Sequence, residues 1–139
     1  MLELKNIHKS FTLNGNIINV LNGIDFIVKQ GDSIAIIGAS GAGKSTLMNI
    51  MGTLDPPSIG AVLFEGEDVW NMEEARLCRI RNHEIGFVFQ FHHLLPEFNA
   101  LENTMMPALI SRSDAKVARE KAIGILKDVG LSDRLRHRV

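Results

Sequence analysis

Several features that would define a class of protein are scarce or missing in this sequence of 139 residues. Its only cysteine, Cys78, cannot form an internal disulfide, which suits a reducing cytosol and implies no thiol or cysteine-based metal chemistry. No run of about 18 apolar residues is present, and the N-terminus lacks the charged start and apolar stretch of a signal peptide. Any membrane role is therefore expected to depend on a partner protein.

An excess of either charge is also missing. Lys and Arg number 15 and Asp and Glu number 16, so no overall basic field favours nucleic acid, and we predict no nucleic-acid partner. Residues 112–139 are locally basic, with eight basic and four acidic residues. A solvated helical face explains this surplus best, and contact with anionic lipid is the alternative.

What the sequence does contain is a glycine-rich motif between an apolar run and a helix-like segment. Residues 38–45, G-A-S-G-A-G-K-S, fit the pattern G-x-x-x-x-G-K-[ST]. Residues 33–37 predict a buried strand, and Leu47, Ile50 and Met51 give the next segment an apolar helical face. A purely structural glycine turn is the alternative, but four specified positions coincide with the required flanks. The pattern therefore predicts a phosphate-binding loop at a helix N-terminus, where unpaired N–H groups and the helix dipole favour an anion.

The residue types of this loop match the chemistry that a bound nucleotide needs. The glycines lack a Cβ, so the backbone can approach phosphate oxygens closely. Lys44 supplies a cation for the β- and γ-phosphates, and the hydroxyl of Ser45 can bind Mg²⁺. The predicted phosphate-binding residues are Gly38, Ala39, Ser40, Gly41, Ala42, Gly43, Lys44, Ser45 and Thr46.

The N-terminal part of the chain has the alternation of a β-sheet. Residues 2–28 predict two strands joined by a hairpin turn at residues 14–16. Residues 61–64 predict a short strand, residues 71–82 a helix, and residues 85–89 a second buried strand.

After residue 90 the pattern changes to helix. Asn99 and Glu102 have the spacing of a capping box, and Pro107 is expected to kink or end the helix that they begin. Ser113 is a candidate N-cap for a last helix, for which Gly130 is a suitable C-terminal residue.

In this order, Phe11, the loop at residues 38–46 and a strand ending in Gln90 resemble the ATPase subunits of ABC transporters. The resemblance implies an α/β fold, an incomplete P-loop NTPase of the ABC type with an N-terminal antiparallel β subdomain. It also implies a nucleotide-binding core at residues 1–90 and the start of an α-helical subdomain at residues 91–139.

The same resemblance implies roles for two residues outside the loop. Phe11 lies where the family has an aromatic residue, most often Tyr, that stacks on adenine; burial in the core is the alternative. Gln90 corresponds to the family's Q-loop glutamine, which contacts Mg²⁺ or the attacking water; a solvated glutamine at a strand end is the alternative. ATP and Mg²⁺ are thus the implied cofactors, with Lys44 and Gln90 as catalytic residues and Ser45 and Gln90 as metal ligands.

The segment at residues 91–98, F-H-H-L-L-P-E-F, narrows the resemblance to ATPase subunits of lipoprotein-releasing systems, although macrolide-export and cell-division systems share part of it. It implies contact of this segment with integral membrane subunits, pairing with a second ATPase subunit, and a place at the cytoplasmic face of the bacterial inner membrane. His92 and His93 could suggest metal or acid–base chemistry, but no third ligand lies at a recognisable spacing. We interpret them as part of the contact surface.

The family's signature loop L-S-G-G-Q, its strand ending in Asp-Glu and its switch histidine do not occur in these residues. We therefore expect residues 1–139 to bind ATP without hydrolysing it, and a non-catalytic nucleotide-binding remnant is an alternative function. A P-loop small-molecule kinase is disfavoured, because residues 87–98 lack the arginines of a substrate lid.

Overall fold

The computed structural model describes residues 1–91 and 93–138, which form two compact units, Met1–Arg81 and Asn82–Val139. The strands are β1 (Leu2–Leu13), β2 (Asn16–Val28), β3 (Ile59–Phe64) and β4 (Glu67–Asp68). The helices are α1 (Lys44–Met51), α2 (Glu74–His83), α3 (Ala100–Ile110) and α4 (Ala115–Asp128), with short 3₁₀ helices at Val69–Asn71 and Ser132–Arg134. None of the helices in the described part of the chain has the length and apolarity needed to cross a membrane.

The first unit contains an antiparallel sheet with the strand order β2-β1-β3-β4. Strands β1 and β2 form a long hairpin whose loop is only Asn14 and Gly15. Both loop residues have positive φ, 50° and 81°, as a type I′ turn requires. The predicted hairpin and the predicted short strand, found as β3, are therefore confirmed.

Strand β3 approaches β1 unusually closely at Gly60, which has a φ of 101°. A Cβ at this position would lie 2.4 Å from the carbonyl oxygens of Lys5 and Asn6. No side chain fits there without moving one of the two strands, so this glycine is a condition of the β1–β3 pairing.

The core of the first unit lies between the sheet and α1. Eight apolar side chains form it, and they are Leu4, Ile7, Leu21, Leu47, Ile50, Val62, Val69 and Leu77. Because Leu47 and Ile50 are three residues apart on α1, one face of that helix is anchored to the sheet.

A polar cluster follows the C-terminal end of α1. Thr53 is fully buried, and Arg81 Nε donates to its carbonyl oxygen at 2.9 Å and to its hydroxyl at 3.2 Å. The Arg81 guanidinium also lies 5.8 Å from the centroid of the Trp70 ring. The cluster connects the end of α1 to the segment after β4.

The second unit pairs α3 with α4, and α3 begins at the predicted capping box. Asn99 Oδ1 accepts the Glu102 N–H at 2.9 Å, and Glu102 Oε2 accepts the Asn99 N–H at 2.8 Å. Helix α4 is capped by Asp114, whose carboxylate accepts the Lys116 N–H at 2.8 Å, so the prediction of Ser113 as the cap is wrong. A carboxylate at this position also interacts favourably with the positive end of the helix dipole.

Pro107 lies inside α3, and the helix continues to Ile110, so of the two expected outcomes, a kink or an end, the end does not occur. The last turn is stabilised from the C-terminal side: the Ser111 N–H donates to the carbonyl of Pro107 at 3.2 Å, and the Ser113 N–H donates to that of Ala108 at 3.0 Å. These bonds satisfy carbonyls that would otherwise be unpaired at the helix end.

The predictions of buried strands at residues 33–37 and 85–89 are wrong for this structure. Neither segment pairs with another strand among the described residues, and Ile37 is 90% exposed. A strand exists only with a hydrogen-bonded neighbour, which β-branched apolar residues favour but do not supply. The predicted helix at residues 71–82 is confirmed as α2, although α2 begins at Glu74 and ends at His83.

Candidate nucleotide-binding site

The glycine-rich loop leads directly into α1, and Gly43 is the residue at the junction. Gly43 has a φ of 88°, and its carbonyl accepts the Leu47 N–H at 2.8 Å, which begins the helix. A Cβ here would lie 2.9 Å from side-chain carbons of Val20 and Leu21. Glycine is therefore required both by the backbone conformation and by the close approach of the loop to β2.

Lys44, the first residue of α1, turns its side chain back into the loop. Its ammonium donates to the carbonyl oxygens of Gly38 at 2.9 Å and Ala39 at 2.8 Å. The cation is thus held beside the helix N-terminus, where the first backbone N–H groups lack intrahelical partners. The loop, the helix end and the ammonium together can bind an anion with several oxygens.

The remaining loop residues have the exposure that a ligand site needs. Ala39, Ser40, Gly41, Ala42 and Ser45 are exposed. Thr46 is half-buried. The exposed Ser45 hydroxyl offers an oxygen donor of the hard type that Mg²⁺ prefers, so it fits a ligand of this ion.

Phe11 lies near the end of β1, opposite Ile18 of β2. Its residue surface is 43% exposed, so the alternative of a core position is wrong. Gly43 packs against Val20 and Leu21, and Leu21 is the cross-strand partner of Lys9, two residues from Phe11. The structure therefore brings Phe11 and the loop to the same part of the hairpin.

Gln90 and residues 91–98 belong to the second unit, where Gln90 is exposed. The Phe87 and Phe89 rings stack with their centroids 4.9 Å apart, and the His93 ring meets Phe89 edge-on at 4.9 Å. His93 is thus engaged with an aromatic ring, while His92 lies outside the described residues. Over the described ranges, no group of three or more His, Cys, Asp or Glu side chains could hold a metal ion.

Two residues that contact predicted site segments were missed by the sequence reasoning. The Lys9 ammonium lies 5.0 Å from the centroid of the Phe11 ring. The Asn103 side chain forms hydrogen bonds with the backbone of residues 95–99. Lys9 lies in a strand whose side chains are expected to alternate between inward and outward positions. Register shifts after Leu4, Ile7 and Lys9 change which side chains face inward. The contacts of Asn103 could have been predicted from the sequence, because a polar side chain in the first turn of a capped helix can reach back to the preceding backbone.

Comparison with known proteins places the chain in a family. Residues 21–139 match the family described as ABC transporter. The chain therefore belongs to the ABC transporter family, and the predicted α/β fold of the ABC ATPase type is confirmed.

Several curated relatives of this chain share one name. The chain is 54% identical over 138 residues to the lipoprotein-releasing system ATP-binding protein LolD of Syntrophus aciditrophicus, covering 99% of this chain and 62% of that protein. It is 52% identical over 141 residues to LolD of Geobacter metallireducens, covering 99% and 61%. The chain thus spans about three fifths of the length of these relatives.

Solved structures agree with this assignment. The dimeric structure of the bacterial ABC transporter cassette MJ0796 superposes with a TM-score of 0.89 at 34% identity, covering 99% of this chain and 61% of that chain. A second MJ0796 structure, a post-hydrolysis state bound to ADP and Pi, matches equally well, with a TM-score of 0.89 and 34% identity over the same shares.

Proposed function

We propose that this chain is the ATP-binding part of an ABC transport system that releases lipoproteins from the bacterial inner membrane. The observation that carries the proposal is the placement of the Lys44 ammonium inside the loop at the N-terminus of α1. The names of the LolD relatives support the lipoprotein substrate, and their identity to this chain extends over nearly all of it.

In this proposal the first unit holds the nucleotide. Lys44 and the N–H groups of residues 41–46 bind the phosphates, and the exposed Ser45 hydroxyl holds Mg²⁺, which neutralises charge on the phosphates. The exposed Phe11 ring stacks on the base. Because stacking reads little of the base edge, GTP is expected to compete measurably with ATP.

The second unit communicates with the transporter. Gln90 senses the γ-phosphate and its Mg²⁺, and the segment after it, with Leu94 and Leu95 exposed, docks on an integral membrane subunit. Two ATPase subunits close on ATP, as the dimeric form of MJ0796 suggests, and the closure moves the docked segments. In this proposal the protein works at the cytoplasmic face of the inner membrane.

Hydrolysis requires a positioned water and charge stabilisation on several sides of the γ-phosphate. Residues 1–139 supply the glycine-rich loop and Gln90, but not the family's strand ending in Asp-Glu, whose Glu orients water. We therefore propose that these residues bind Mg-ATP and that turnover belongs to the full-length protein. Phosphate release by residues 1–139 at the rate of the full-length protein, abolished by Lys44→Ala, would contradict this division.

The decisive test is calorimetric titration of Mg-ATP into the wild type, Lys44→Ala and the exposed-lysine control Lys116→Ala. Removing a charge-assisted contact should cost about 1.5–3 kcal/mol, which is roughly ten- to a hundredfold in affinity, while the control stays unchanged. Ser45→Ala should weaken binding mainly when Mg²⁺ is present. Unchanged affinity in Lys44→Ala would refute the phosphate site.

The proposed release of lipoproteins requires a separate measurement. Proteoliposomes carrying the full-length protein and its membrane subunits should release a bound lipoprotein when ATP is added, and Lys44→Ala should stop release. Leu94→Ala combined with Leu95→Ala should keep ATP affinity and lose co-purification with the membrane subunits. If ATP affinity fell while co-purification survived, residues 91–98 would belong to the nucleotide site instead.

A further inference from the structure

Lys9 is a charged residue in the interior of the first unit, with only 8% of its surface exposed. Its ammonium donates to Asp55 Oδ1 at 2.7 Å and to the carbonyl oxygen of Pro56 at 2.7 Å. It also lies 5.0 Å from the centroid of the Phe11 ring. A buried ammonium is costly unless it is paired and hydrogen-bonded, and here the carboxylate, the carbonyl and the ring face fill that need.

The partners of Lys9 connect Phe11 to the segment that follows α1. Ser58 reinforces the connection: its N–H donates to the His8 carbonyl at 2.8 Å, and its hydroxyl accepts the Ser10 N–H at 3.1 Å. Residues 55–58 are therefore joined to β1 on both sides of Lys9. Since α1 begins at the phosphate loop and is anchored in the core, the spacing between that loop and Phe11 is held through this connection.

We propose that Lys9 is a positioning residue for the nucleotide base, which it serves by supporting one face of the Phe11 ring. This inference rests on the proposed nucleotide function. A lysine ammonium within about 6 Å of a ring centroid is attracted to the ring face. Phe11 is 43% exposed, which leaves surface that an aromatic base can reach, and the Asp55 carboxylate keeps the ammonium in place.

A purely structural role is the competing explanation, in which the Lys9–Asp55 pair only joins the loop to the sheet. The two roles predict different changes in ligand affinity. Loss of a base platform weakens ligands that contain a base and spares those that contain only phosphates. Loss of a structural link disturbs α1 and weakens both.

The experiment uses the full-length protein and two probes, Mg-ATP and Mg-tripolyphosphate, each titrated by calorimetry. The variants are Lys9→Met, Lys9→Arg, Phe11→Ala and the double variant Lys9→Met with Phe11→Ala. The control is Lys5→Met, because Lys5 is on the same strand but exposed, and it pairs with Glu3 at 3.5 Å. Circular dichroism establishes that each variant is folded.

We expect Lys9→Met to weaken ATP by roughly five- to tenfold and to leave tripolyphosphate unchanged. Lys9→Arg keeps the charge and should restore most of the ATP affinity. In the Phe11→Ala background the Lys9→Met change should add no further loss, because the ring that it supports is gone. Lys5→Met should change neither ligand.

Equal losses of ATP and tripolyphosphate in Lys9→Met would overturn the proposal in favour of the structural role, and so would unchanged ATP affinity. If Phe11→Ala itself leaves ATP affinity unchanged, the base platform of the proposed function fails, whereas the phosphate site is judged separately by Lys44→Ala. If Lys9→Met does not fold, Asp55→Asn decides: an ATP-specific loss supports the proposal, and no such loss overturns it.

Discussion

The two units of this chain are stabilised in different ways. The first contains apolar side chains with at most 1% exposure, and these are Leu4, Ile7, Ile50, Val62 and Val69. In the described part of the second, the buried apolar residues are Ala118, Ala122 and Leu126, all on α4, and α3 has no buried residue. Apolar burial therefore contributes much more to the first unit than to the second.

The second unit relies more on side-chain contacts to the backbone. Asn103 makes four of them: its Oδ1 accepts the Leu95 N–H at 2.9 Å, and its Nδ2 lies 3.1 Å from the carbonyl oxygens of Leu95, Phe98 and Asn99. Such bonds are directional, whereas apolar contact is not. The first unit is thus held mainly by apolar burial, whereas the turn at residues 95–99 of the second unit is shaped by a few polar contacts.

The largest expected effect is at Gly60. Gly60→Ala forces a Cβ to within 2.4 Å of two β1 carbonyl oxygens at a φ of 101°, so we expect it to destabilise the first unit by about 3 kcal/mol or more. The matched control is Gly66→Ala, which has a φ of 86° but open space around it and should cost about 1 kcal/mol. Urea denaturation followed by circular dichroism measures both. Equal losses would show that backbone conformation alone, without the clash, explains Gly60.

The next effect tests whether the two units are independent. Ile50→Ala removes a fully buried side chain from the core and should cost about 3 kcal/mol, while Ile125→Ala, on the exposed face of α4, should cost less than about 0.5 kcal/mol. Hydrogen exchange by mass spectrometry should show lost protection in β1 and β3 with little change in α3 and α4. Equal loss of protection in both units would mean that they unfold together.

The smallest effect concerns the polar contacts of the second unit. Asn103→Ala should destabilise the turn at residues 95–99 by about 2 kcal/mol, because it removes one acceptor and an NH2 group whose two hydrogens are shared among three carbonyl oxygens. Asn103→Asp keeps the acceptor for the Leu95 N–H but turns the donor into an oxygen that faces three carbonyl oxygens, so it should not restore the lost stability. Amide exchange of residues 95–103 reports both changes, and unaltered exchange in Asn103→Ala would contradict the role given to this side chain.

Features determined by a few adjacent residues could be predicted from the sequence. The Asn14-Gly15 turn and the Asn99–Glu102 capping box were correct, because both depend on the chemistry of neighbouring residues. The glycine-rich loop that opens onto a helix is of the same kind, because the geometry at Gly43 and Lys44 follows from a contiguous motif. That this loop binds phosphate stays a prediction. The roles of Phe11 and Gln90 and the boundary at residue 90 stay predictions.

Features that depend on distant parts of the chain could not be predicted. An apolar β-branched segment such as residues 33–37 indicates a preference for a strand, but the strand itself needs a neighbour that the segment does not specify. Lys9 is buried because register shifts in β1 turn it inward, and the shifts arise from the pairing of three strands. Its partners Asp55 and Pro56 lie more than 40 residues away in sequence.

Trp70 is the only tryptophan of the chain, and it lies beside the Arg81 side chain that bonds to Thr53 just after α1. Its indole emission depends on the distance to that guanidinium charge, because a nearby cation shifts the energies of the ring's excited states. A displacement of the end of α1 would change this distance and hence the colour of the emitted light. The protein therefore carries an intrinsic optical reporter for motion of the helix that begins at the glycine-rich loop.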